Sequence, residues 1–227
     1  MVRAVAATAP CQAASAVAGV RLDLEARILA SIFAWRKEAI ARDFWPAPQE
    51  IRAQREEVRQ EAVEWWSTRL EHPSAGVRTI EAIRPVLQQW LDREHGVLTF
   101  RLVQILSGHG CFGSYLYKIA RREPTPVCHA CGAGEDTAQH TLAECPTWEA
   151  ERQEVIAQVG PDLSLPVVVR AMVASKEGWE ALLSFSEHVL NEKEAAERER
   201  EAQAEAPPMR RRRTGRRRAA HERNLPP

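Results

Sequence analysis

The sequence predicts a mainly α-helical protein: a helical region with a small Cys-Cys-His-Cys knuckle and a disordered, arginine-rich C-terminal tail. Three observations carry this. Ala and Glu are used heavily along the 227 residues, and Val, Ile and Phe do not fall into the alternating runs that strands need. Apolar residues recur instead at spacings of three and four. Between residues 128 and 145, four metal-type ligands lie close together. The length allows one sizeable core, or a modest core with extended parts.

Leu22 to Arg42 reads as the first helix, with Leu24, Ile28, Ile32 and Trp35 on one face. Phe44-Trp45-Pro46-Ala47-Pro48 breaks it. A second helix spans about Gln49 to Leu70, with Ile51, Val58, Ala62 and Trp66 along one face, and His72-Pro73-Ser74-Ala75-Gly76 closes it. Thr79 is expected to cap a short turn, and Pro85 to begin a helix carrying Leu87, Trp90 and Leu91. Between Leu98 and Arg122 two short helices should meet at Gly108-His109-Gly110. Thr147 is expected to cap a helix that starts at Trp148, with Glu149 and Glu151 in its first turn, where the helix dipole favours acids. Pro161 stops it, and a short helix follows from about Pro166 to Ala174. A long one then runs from Lys176 to about Ala204. Its first part has an apolar stripe of Trp179, Leu182, Leu183 and Val189. After Asn191 no apolar face remains, which predicts a solvated helix held by its own charge pairs.

The formal charge of zero is a cancellation. Residues 207–227 hold eight Arg against one Glu, about +7, so residues 1–206 carry about −7. An acidic body is a poor general binder of polyanions, and any nucleic-acid contact should be local or come from the tail. No apolar run approaches the roughly 18 residues of a membrane span. The Ala/Val-rich start is interrupted by Pro10, Gln12 and Ser15, so it does not make a signal peptide. The expected place is the nucleus or cytoplasm, not the secretory route.

Cys128, Cys131, His140 and Cys145 predict a Zn²⁺ site. A Cys-x-x-Cys turn sets two thiolates on one side of a tetrahedron. His140 and Cys145 then close it from a helical segment beginning near Asp136. Three thiolates and one imidazole fill the coordination shell, so the site is structural rather than catalytic; reduced thiols in a loop are the alternative. His129 should point away from the metal. Glu135, Asp136 and Glu144 make the knuckle itself acidic, and the side with Glu135 and Asp136 is expected to face solvent. The preceding segment is basic and aromatic: Arg101, Lys118, Arg121 and Arg122 interleave with Phe112, Tyr115 and Tyr117. Such a mixture can hold a phosphate backbone or a single strand, or else the aromatics are core and the Arg pair an ordinary helix end. Arg210, Arg211, Arg212 and Arg213 are a stronger electrostatic ligand for RNA or DNA and also read as a nuclear import signal. Catalysis is not visible. His109 and Cys111 lack an orienting carboxylate nearby, and the five Asp include no close pair for two-metal chemistry.

Gln104, Leu106, Ser107, Gly108, His109, Gly110 and Phe112, followed by Cys128, Cys131, Asp136, Thr137, His140 and Cys145, resemble a block in the C-terminal region of non-LTR (LINE-type) retrotransposon polyproteins, especially those that insert into ribosomal DNA. The Trp-rich stretch from Trp65 to Ile83 and the closing segment from Gly178 extend the resemblance, although Arg78 stands where the family carries a third tryptophan. The resemblance implies a fragment that lacks the endonuclease and polymerase parts. It implies a remnant after the polymerase thumb at 1–20, a helical linker region at 21–96 and a zinc-knuckle region at 97–160. C-terminal helices at 161–206 and the basic tail at 207–227 complete the order. In that setting the knuckle helps hold template RNA or target DNA, with His109, Lys118 and Arg121 as contacts. The reverse transcriptase domain of the parent element is a second expected partner; no membrane and no small-molecule substrate are implied. A zinc-stabilised protein-interaction module, or a degenerate copy, is the alternative.

Overall fold

The computed structural model describes residues 9–73 and 75–203, with side chains from Leu24 onward. The expected tail at 207–227, with Arg210, Arg211, Arg212 and Arg213, lies outside the described residues. Every regular element among the described residues is helical.

Helix α1 (Ala9–Ala41) begins well before the predicted start at Leu22. The upstream stretch is rich in Ala, the best helix former, and Pro10 falls in the first turn, where no N–H is needed. Helix α2 (Pro48–Arg69) starts on Pro48, and the Glu50 carboxylate accepts the Ala47 N–H at 2.7 Å. The two helices pack together, with Leu24 and Ile28 of α1 and Val58, Ala62 and Val63 of α2 buried.

Helix α3 (Val77–Ile83) passes through a 3₁₀ turn at Arg84–Val86 into α4 (Leu87–Asp92). Thr79 does not cap it. Gly76, at φ 69°, holds the N-cap position, and buried Thr79 donates its hydroxyl to the Leu106 carbonyl at 2.9 Å. Helix α5 (Phe100–Ser107) is capped by Thr99, whose Oγ1 accepts the Leu102 N–H, and ends on left-handed Gly108. The predicted break before α6 (Gly113–Lys118) is present.

After the knuckle come α7 (Glu149–Val159), α8 (Leu165–Ala174) and α9 (Lys176–Ala202). Thr147 does not cap α7 either: its hydroxyl donates to the Ala130 carbonyl at 3.1 Å, tying the helix entry to the knuckle loop. Ser175 caps α9 by accepting the Gly178 N–H at 3.0 Å.

One apolar core runs from Leu24 to Leu190, and Cys128, Leu142 and Cys145 are part of it. Fully buried Trp179 packs 5.4 Å from Trp90 and donates its indole N–H to the Val97 carbonyl at 3.2 Å. The end of α9 departs from expectation. It is not a solvated helix: Lys193 and Glu197 are buried, and its charges pair with residues of the 101–136 segment. The partners lie across the fold, so a pattern of neighbours within one helix does not reveal them.

Candidate metal centre and the basic segment beside it

The Cys-x-x-Cys loop is closed by its own backbone. The Gly132 N–H donates to the Cys128 carbonyl, and the Cys128 N–H to the Ala133 carbonyl, both at 2.8 Å. Gly132 sits at φ 79°, a conformation that suits glycine, and so lets the chain turn back. The other two ligands come from a π turn at His140–Glu144. Its first N–H is held by Thr137 Oγ1 at 2.9 Å, and the Cys145 N–H reaches the His140 carbonyl at 2.7 Å. That wider turn sets the His140 and Cys145 side chains on the same side as the loop.

The four ligand atoms lie within 4.8 Å of one another, and His140 Nε2 is 3.3 Å from Cys131 Sγ. Donors around a tetrahedral metal with bonds of about 2.0–2.3 Å stand about 3.5–3.8 Å apart, so this cluster can hold a metal ion. The other ring nitrogen of His140, Nδ1, faces Glu144 at 3.4 Å, the carboxylate–histidine arrangement that orients a metal-bound imidazole. Burial pushes the Cys128 thiol up to about 12, whereas the Ala133 N–H helps bring Cys131 down to about 7. His129 points away, as expected, toward Glu123 at 3.4 Å.

Two buried cations brace the centre. Arg152 donates to the carbonyls of Leu142 at 2.7 Å and Cys145 at 2.6 Å, fixing the turn that carries two ligands. Lys193 of α9 bonds both oxygens of Asp136, at 3.0 and 2.8 Å. Asp136 also accepts the Gly113 N–H and the Thr141 hydroxyl. The expectation that this carboxylate faces solvent is therefore corrected: it is buried, with enough donors around it to hold its charge. No local pattern announced Lys193, which lies 57 residues away.

The structure disperses the predicted basic segment. Arg101 is gripped by Glu187 and Glu194, both at 2.9 Å. Arg122 pairs with Glu197 at 3.5 Å and with Glu201; Lys118 pairs with Glu135 at 2.6 Å. Arg121 is exposed at φ 54° and forms no ion pair among the described residues. His109 stacks 5.0 Å from Tyr115, and its buried Nδ1 has no hydrogen-bond partner. Phe112 is fully buried, while Tyr117 is exposed. Cys111 donates its thiol to Glu197 at 3.0 Å, and burial raises its pKa, which keeps it a protonated, poor nucleophile.

Against known proteins, the chain is 29% identical over 144 residues to a retrovirus-related Pol polyprotein from the type-1 retrotransposable element R1 4 of Nasonia vitripennis, covering 61% of this chain and 35% of that protein. It is 42% identical over 55 residues to the corresponding R1 Pol polyprotein of Popillia japonica, covering 24% of this chain and 22% of that one. The chain is related to retrotransposon Pol polyproteins. The resemblance read from the Gln104–Phe112 block and the Cys-Cys-His-Cys spacing holds. At 35% and 22%, this Pol-related chain spans about a third or less of the length of these relatives. No protein-family model matches it. No solved structure matches it either. Among the described residues, no helix is long and apolar enough to cross a membrane.

Proposed function

We propose that this chain is a zinc-stabilised, nucleic-acid-binding accessory region of a retrotransposon reverse transcriptase, helping to hold template RNA or target DNA. The observation that carries the reading is a closed three-cysteine, one-histidine centre in a chain related to Pol polyproteins. The donor set favours Zn²⁺, which Cys128, Cys131, His140 and Cys145 would hold with no open position for water. Bound there, zinc supplies a cross-link rather than a reaction. This chain's residues do the rest: Arg152 and Lys193 fix the turn and the carboxylate beside it. Arg121 and the half-exposed Lys118 are the members of the 101–122 segment most accessible to phosphate, and His109, packed on Tyr115, is the third candidate contact. Arg101, Arg122 and Lys118 contribute where a polyanion displaces or shares their glutamates. In the element, the expected setting is nuclear or cytoplasmic.

The test is binding of RNA and DNA by the full chain over a salt series, with zinc bound and after chelation. It is repeated with Arg210, Arg211, Arg212 and Arg213 all replaced by Gln. Zinc-dependent binding that persists without the tail charges and weakens steeply with salt supports the reading. Binding that depends wholly on the tail overturns a role for the folded region.

A second reading rests on Leu29, Phe33, Phe44 and Trp45, which expose large apolar surface on α1 and the turn after it. They would let the chain dock on the polymerase domain of its element. Such docking responds little to salt, which separates it from the first reading.

A further inference from the structure

The α1–α2 pair carries cations that the zinc-centred site does not use. The guanidinium of Arg27, from α1, lies 4.3 Å from the ring centroid of Trp65 on α2. That of Arg69 lies 4.7 Å from the same ring and 5.6 Å from Trp66. Both arginines are exposed, and neither forms an ion pair among the described residues. The neighbouring Glu25 is taken by Arg55 at 3.5 Å, and Glu61 and Glu64 bridge to neither.

A guanidinium stacked on an aromatic ring is held by its face. Its N–H donors stay in its own plane, directed past the ring edge. That geometry leaves a fixed fork for the oxygens of a phosphate, and the flexible side chain has already lost part of its rotamer freedom. Arg101, Lys118 and Arg122 are the opposite case, each with an acid already on its donors.

From this contrast we infer that Arg27 and Arg69, stacked on Trp65, form a contact for the phosphate backbone of a single-stranded nucleic acid. The inference rests on the nucleic-acid-binding reading above and adds the Trp65 stack to the contacts of the 101–122 segment. Trp65 acts as a positioning residue, and the two guanidinium edges touch the ligand.

The experiment uses the full zinc-loaded chain and a fluorescent oligouridylate, titrated at several salt concentrations. The Arg27→Gln/Arg69→Gln double variant should bind about 10- to 30-fold more weakly near 0.1 M salt, with the log–log salt slope reduced by about 1.4, as expected for two lost single-strand phosphate contacts. An Arg27→Lys/Arg69→Lys variant should keep most of that slope but lose affinity, because an ammonium has no planar fork. Arg52→Gln/Arg170→Gln removes the same charge from exposed positions elsewhere and should change binding far less. If both glutamine doubles bind alike, the inference is overturned while the nucleic-acid reading stands. If the wild-type chain binds at no salt concentration, the nucleic-acid reading itself fails. A double variant that weakens binding without changing the slope, and loses α1–α2 helicity by circular dichroism, assigns the stack to packing and overturns the contact.

Discussion

The half of the molecule around the metal centre and the α1–α2 pair both carry cations beside aromatic rings, but they dispose of the charge differently. Around the centre most cations are spent inside the fold, Arg121 excepted: Lys193 on Asp136, Arg101 on two glutamates of α9, Arg152 on the carbonyls of the metal turn. On α1–α2, Arg27 and Arg69 rest on tryptophan and form no ion pair among the described residues. A basic run in sequence is thus not the same as a basic surface. What decides is whether another element brings acids to meet it, and α9 does so only on one side.

The largest expected effect breaks the metal side alone. Cys131→Ser should abolish stoichiometric zinc binding, removing roughly 10 kcal/mol or more of metal-linked folding free energy from the knuckle. Metal analysis should fall to zero, and hydrogen exchange should quicken across 100–160. Helix α2 makes its packing with α1 and should keep its protection. Equal loosening of both halves would show that the two do not differ in what holds them.

Next is the ion pair that docks α9 on the centre. Lys193→Ala leaves Asp136 buried with its charge uncompensated, and removing one partner of a buried pair costs about 3–5 kcal/mol. A denaturant midpoint near wild type would mean that the Gly113 N–H and Thr141 hydroxyl suffice alone. A smaller loss is expected at Arg78. Its guanidinium donates to the Ile105 carbonyl at 2.9 Å and the Leu106 carbonyl at 3.1 Å, at the end of α5, and burial lowers its pKa. Arg78→Met should cost about 1.5–3 kcal/mol, read as a shift in the same midpoint. Arg78 therefore has a structural job of its own.

How much of this was legible follows from the range of each interaction. Leu24 and Ile28 announced a helix because the signal repeats every three or four residues. Cys128 and Cys131 announced a turn for the same local reason. Thr79 and Thr147 looked like caps, since capping is what a threonine at a helix start can do nearby. Their hydroxyls instead serve Leu106 and Ala130, which only the folded chain brings within reach. The glutamates after Asn191 were misplaced in the same way. Glu197 meets Cys111 86 residues upstream and Glu194 meets Arg101 93 residues upstream, and no window along a helix contains both members of either pair.

The smallest effect tests the clamp on Arg101 through pH. The Thr99 hydroxyl, and then Arg101, hold the Glu187 carboxyl below the usual carboxylate range in the folded chain. A folded pKa below the unfolded one adds stability at pH values above the unfolded pKa, near 4.3, and that stability disappears as pH falls through the folded pKa. The Glu187 side chain is 38% exposed, so solvent screening limits the contribution to a few tenths of a kcal/mol. Glu187→Gln should therefore be slightly less stable than wild type at pH 7, and the gap should close as the pH falls below about 4. A gap of the same size at pH 3 would place the effect in packing rather than in charge, and the cations of this half would then be less firmly spent than their distances indicate.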